Sequence, residues 1–333
     1  MSRHIKLILL AALLLAGCAN AKPAKEDRLA YETMNGQAML TSPDGNQTFV
    51  LMSTTAGSYW RLAFDADGKT LNYLDANTQE LYRFDPTKGL PGDCLSCSLP
   101  PRTSVVAGLS DGTLAFTTET GVFVAENGQP RQVSDRPGLY LDSWFPGGDA
   151  LLLWDGSDIV RLGLDGTLTN LTGSLEKQQV YGPHISPDGK WIAFHLINND
   201  KIHLTLVSAD GATVTQLADV SPVVPISSSE VTAASVDWSP DGKKLVFSIL
   251  MDRTDKSNDD IYIINLDGSG LSNLTEDPAE DWQPVWSPDG KYIAFISDRT
   301  GEQDIWVMNA DGSNPVDVTS SPNVWEYHPF WMP

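Results

Sequence analysis

One phrase recurs along this chain: HISPDGKWIAF at 184–194, DWSPDGKKLVF at 237–247 and VWSPDGKYIAF at 285–295. Each copy sets Pro-Asp-Gly between two runs rich in β-branched and aromatic residues, which reads as strand, tight turn, strand. A related sequel follows each copy: KIHLTLVSADGATVTQLAD, DIYIINLDGSGLSNLTED and DIWVMNADGSNPVDVTSS. There a third run leads through Asp-Gly into a fourth. Units of four short strands, repeated about every forty residues, carry the signature of propeller blades, which bury their faces by stacking on one another.

The repeats resemble the TolB-type β-propeller repeat, a relative of the WD-repeat. The matching parts are Trp/Ile-Ser-Pro-Asp-Gly-Lys, the aromatic of IAF and LVF, the Asp-Arg of SDRTG, and Asp-Ile-Trp/Tyr before Asp-Gly. Weaker copies run upstream through FDADGK at 64–69, GLSDGTLAFTTETGVFVAENG and SWFPGGDALLLWDGSDIVRLGLDGTLTNLT. Blades are predicted over 59–100, 103–137, 139–174, 180–220, 233–277 and 281–321.

The two ends complete each other. EYHPFW at 326–331 aligns with DWQPVW at 281–286, the first strand of a blade, and then the run stops. Residues 27–53 align with the other three strands. A blade shared between the ends leaves no open edge. The expected fold is therefore an all-β propeller of seven four-stranded blades over 27–333, with six blades as the alternative.

Ahead of this lies a different kind of sequence. Arg3, His4 and Lys6 precede the apolar run 7–16, a secretory signal too short to span and remain in a bilayer. It ends in Leu-Ala-Gly-Cys at 15–18, which resembles the lipobox of bacterial lipoproteins. That resemblance implies that residues 1–17 are removed, that Cys18 is lipidated, and that 18–26 form a tether. Ala19 after the cysteine implies delivery to the periplasmic side of the outer membrane in a two-membraned cell. Acyl chains then anchor the protein without a transmembrane helix.

Removing 1–17 takes away two of the 22 Lys and Arg residues and none of the 43 Asp and Glu, so the net charge moves from −21 to −23. Such a surface repels a phosphate backbone, and nucleic acid is excluded as a partner. Cys94 and Cys97 stand in GDCLSCS. In an exported protein this spacing reads as a disulfide staple, with a redox pair or free thiols as alternatives.

The repeat also supplies a register across blades. Four positions before the Trp286 position stand Trp60, Tyr140, Tyr181, Ala234, Trp282 and Tyr327. The following column holds Arg61, Leu141, Gly182, Ser235, Gln283 and His328, and the preceding one includes Asp281 and Glu326. These positions open the innermost strand, near one mouth of the central channel, where loops from all blades converge. Trp60, Tyr140, Tyr181, Trp282 and Tyr327 are candidates to stack on a peptide or sugar, with Arg61, Asp281, Gln283, Glu326 and His328 as polar contacts. The alternative is sideways packing between blades.

G-x-S-x-G occurs once, as GLSDG at 108–112, in the turn of a weak blade copy ahead of the strand-like run TLAFTT rather than at a strand-to-helix elbow, and no H-E-x-x-H, Walker or Rossmann pattern occurs in the sequence. The expected role is non-enzymatic: a monomeric scaffold, without cofactor or metal, for an envelope protein, peptide or glycan. The alternative class is a metal-dependent polysaccharide lyase or hydrolase resembling the oligogalacturonate lyases. His184, in the column of Asp237 and Val285, and His328 would be its starting points.

Overall fold

The computed structural model describes residues 28–53, 60–64, 71–75, 80–84, 93–94, 102–106, 113–126, 129–175, 179–198, 201–221, 231–251, 259–320 and 323–332. The leader, Cys18, the tether and Cys97 lie outside them. Cys94 is disulfide-bonded.

Seven four-stranded antiparallel sheets form among the described residues. Blades 1 to 6 open with Trp60–Phe64, Arg102–Val106, Tyr140–Trp144, Gln179–Ile185, Val231–Trp238 and Asp281–Trp286, and each is a simple meander, so spatial order follows chain order. The closing blade takes its first strand, Glu326–Trp331, from the C-terminal end and its other three, Leu29–Thr33, Gln37–Thr41 and Thr48–Ser53, from the N-terminal end. Leu29 faces Trp331 and Thr33 faces Glu326 across the seam. The seven-blade expectation holds, and the six-blade alternative falls.

The repeated phrase builds one local device. Ser186 Oγ donates to Asp188 Oδ1 at 2.8 Å, while that carboxylate accepts the Lys190 N–H and the serine hydroxyl accepts the Trp191 N–H. Gly189 closes the turn with its N–H on the Ser186 carbonyl, at φ 71°, where a Cβ is disfavoured. The same bonds recur around Ser239–Asp241 and Ser287–Asp289.

Between blades, the tryptophans that end the first strands fill space, and Trp238 and Trp331 also stitch, while Nε1 of Trp144 and of Trp286 has no hydrogen-bond partner among the described residues. Trp238 Nε1 donates to the His184 carbonyl of the preceding blade at 3.0 Å, and Trp331 Nε1 to that of Val285 at 3.0 Å. Both indoles are buried among aliphatic and aromatic side chains, so each combines a large apolar payload with a satisfied polar handle. The outer strands are tied by threonines: Thr172, Thr275 and Thr319 each accept the N–H of Ile159, Ile261 and Ile305 at 2.9–3.0 Å. The repeat thus specifies turn, wedge and clasp, and its function must be sought where the blades differ.

Candidate functional site

In an antiparallel meander, the start of the first strand, the loop between the second and third strands, and the connector into the next blade all lie at one end. Large hydrophobic side chains are exposed at five described positions. Three of them, Met34 (46%), Tyr140 (50%) and Trp325 (44%), belong to this mouth; Leu271 and Val316 do not. Met34 sits in the second-to-third loop of the closing blade, and its N–H donates to the Trp325 carbonyl at 2.8 Å, so the two form one patch.

A second patch is a row of three rings. Tyr140 faces Trp154 across the first two strands of blade 3, with ring centroids 5.6 Å apart. Trp154 then meets Tyr181 of blade 4 at 6.3 Å, and the Tyr181 hydroxyl donates to Gln179 Oε1 at 3.3 Å. Trp154 escaped the column reading because it lies on the second strand. Only the cross-strand register with Tyr140 brings it to the site.

The column of Gly182, Gln283 and His328 proves to be a bulge. The ladder skips two residues in each of these first strands, and the three take φ of 53°, 53° and 51°, each just before a proline. For the two residues with side chains this backbone costs of order 1–3 kcal/mol, held by its surroundings. Gln283 is half-buried, and its N–H donates to Ser248 Oγ of the neighbouring blade at 3.3 Å. His328 is exposed beside Tyr327, with Nδ1 3.3 Å from Glu32 Oε2. Trp60 and Arg61 open blade 1 opposite Asp75 and Leu74.

Three expected contact residues are not available at the surface. Trp282 is buried against Leu29, Tyr31 and Trp331, filling the space between blade 6 and the closing blade. Asp281 is fully buried, and both its oxygens accept from Arg299 Nη2, at 3.0 and 2.9 Å. Glu326 is also fully buried, reached by Thr319 Oγ1 at 3.4 Å and by Asp304. Tyr181 precedes the same kind of bulge and stays part-exposed, so the packing of the closing blade on Trp282, not the bulge, sets the difference.

Below the mouth, first strands of three adjacent blades bring His184 between two carboxylates. Its Nδ1 lies 3.7 Å from Asp142 and its Nε2 3.4 Å from Asp237. Burial works to lower the His184 pKa, but the hydrogen bond and charge of Asp142 and the charge of Asp237 raise it to about 9. Asp237 also accepts the N–H groups of Trp238 and, from the next blade, Trp286. Counting back from the tryptophans would pair His184 with Ser143. The ladder skips Asp142, and this bulged residue reaches the imidazole instead. The two nitrogens face separate carboxylates on opposite sides of the ring, and no cluster of three or more His, Cys, Asp or Glu suited to a metal ion occurs among the described residues.

A model of the TolB beta propeller domain matches residues 223–333. An uncharacterized protein of Agrobacterium fabrum is 29% identical over 218 residues, covering 62% of this chain and 68% of that protein. Other curated relatives are far longer proteins, of which the chain spans 10% and 29%. Among solved structures, TolB from Acinetobacter baumannii superposes with a TM-score of 0.55 at 16% identity, over 92% of this chain and 67% of that one. An oligogalacturonate lyase from Vibrio parahaemolyticus superposes with 0.63 at 13% identity, over 85% and 91%. At such identities the likeness is one of fold, and it does not separate scaffold from enzyme. The matched repeat and the seven blades together place the architecture: the chain is a seven-bladed β-propeller whose residues 223–333 are similar to the TolB beta propeller domain.

Proposed function

We propose that this propeller is an exported, lipid-anchored scaffold that holds a protein, peptide or glycan of the cell envelope at the mouth where its first strands begin. The observation that carries the reading is the gathering of exposed aromatic and apolar side chains at this mouth, where three of the five exposed large hydrophobics among the described residues lie. Met34, Tyr140 and Trp325 stand around that mouth, joined by the Trp154–Tyr181 row. Aromatic side chains of this kind supply most of the energy at binding surfaces. The anchor follows from the Leu-Ala-Gly-Cys motif ending at Cys18 and the basic, apolar leader before it.

The test compares wild type with Tyr140→Ala/Trp325→Ala in an envelope fraction, reading the cross-linked partner by mass spectrometry. These side chains are half exposed, so their truncation should leave folding intact. Loss of the partner from the double variant supports the reading; undiminished capture contradicts it.

A further inference from the structure

We infer that the segment received at this mouth is a basic stretch of polypeptide carrying aromatic or aliphatic side chains. This rests on the mouth reading above and narrows it to one kind of partner. The loops that frame the mouth at blade 6 are strongly acidic. Residues 274–280 and 298–303 supply Glu276, Asp277, Glu280, Asp298 and Glu302 against one cation, Arg299, which is committed to buried Asp281.

The opposite face is different. There the carboxylates of the repeated turn carry their own counter-ions: Lys190 Nζ lies 3.0 Å from Asp188, Lys243 3.3 Å from Asp241, and Lys291 pairs with Asp289. Asp165, Asp210, Asp267 and Asp311 in the Asp-Gly loops of that face each accept from a neighbouring Ser or Thr. The carboxylates framing the mouth at blade 6 have no lysine in their own loops, and they stand on the same side as Met34, Tyr140 and Trp325. The crowding registers on Asp260, beside these loops. Burial, and then the charges of Asp281, Asp277 and Glu276, push its pKa up to about 6. A bound cation would relieve this repulsion.

Geometry favours a chain over a small cation. Tyr140 belongs to blade 3 and Trp325 adjoins the closing blade, so neither anchor sits in a blade next to the other's. A ligand touching both must span the mouth. An anionic lipid surface or a nucleic acid is repelled, and a neutral glycan gains nothing from the field. A basic segment with apolar side chains uses both, since charge complementarity steers association while aromatic anchors hold it.

The probe is a short fluorescent peptide alternating Lys and Trp, titrated by anisotropy against the mature chain. A Glu–Trp peptide and a Lys–Gly peptide serve as comparisons. The Lys–Trp peptide is expected to bind about tenfold or more tightly than either, and to weaken at least about tenfold between roughly 0.05 and 0.5 M salt. Glu276→Gln/Asp277→Asn/Glu302→Gln and Tyr140→Ala/Trp325→Ala should each reproduce such a loss. Asp188→Asn/Asp241→Asn, on the opposite face, should not. Equal loss from that last variant means attraction to net charge alone and overturns the proposal. Equal binding of the Glu–Trp peptide also overturns it, while leaving the mouth reading intact. If the envelope partner is still captured by the mouth variant, the mouth reading itself fails.

Discussion

Arg299 closes on Asp281 with Nη2 3.0 and 2.9 Å from the two carboxylate oxygens, making a fastener of a residue that the repeat register had set at the channel mouth. The guanidinium is further fixed by Ser297, to which its Nε donates at 2.8 Å, and lies 4.4 Å from the ring of Trp306. Arg299→Ala leaves a fully buried carboxylate without its cation. It should destabilise the protein by about 3–5 kcal/mol in denaturant unfolding. Arg299→Lys should recover only part of this, because a point charge cannot both pair with Asp281 and lie flat on the indole. A loss below about 1 kcal/mol for Arg299→Ala would show that the pair is not structural.

His184 should titrate well above an ordinary histidine. Its folded-state pKa of about 9 exceeds the ordinary histidine value of 6.5, so the protonated form is the one that folding favours. The stabilisation is full below pH 6.5 and is lost as pH rises through about 9. An NMR titration of the His184 ring protons should show the high midpoint, and Asp142→Asn should lower it. A midpoint near 6.5 in the wild type would contradict the clasp.

His195 runs the opposite way. It is fully buried against Phe247, neither ring nitrogen has a hydrogen-bond partner among the described residues, and burial pushes its pKa down to about 3. The unfolded chain takes up a proton at about pH 6.5 while the folded chain stays neutral, so stability falls as pH drops from 6.5 towards 3. His195→Leu removes an unsatisfied polar group, and should stabilise by about 1–3 kcal/mol and flatten that acid limb. Equilibrium unfolding across this range, wild type against variant, decides the matter. An unchanged acid slope would place its origin elsewhere.

The stitch between blades 4 and 5 can be isolated. Trp238→Phe keeps most of the buried ring but removes the N–H that meets the His184 carbonyl. The expected loss is about 1–3 kcal/mol, combining the bond, the orphaned carbonyl and a small cavity. A neutral substitution would mean that the indole acts by packing alone.

These cases show what the sequence could carry and what it could not. Blade number and the shared closing blade were legible, because turn chemistry and strand periodicity repeat and the two ends complement each other. Tyr140, Tyr181 and Tyr327 could be placed in the opening stretch of their first strands because register across blades is a translation along the chain. Trp282 turned inward, Asp142 turned towards His184 and Trp154 joined the row for reasons that no count along one strand contains. The packing of the closing blade on Trp282, a bulge at Asp142, and the pairing of Tyr140 with Trp154 decide them. Side-chain direction in a bulged strand belongs to the ladder, not to the strand alone.

Partner binding at the mouth bearing Tyr140 and Trp325 can be read by placing a photo-crosslinking amino acid, in separate proteins, at Tyr140, Trp325, Leu271 and Val316, all exposed positions. Adducts with a common envelope partner are expected from Tyr140 and Trp325 and none from the other two. Adducts confined to Leu271 and Val316, or distributed evenly over all four, would contradict it.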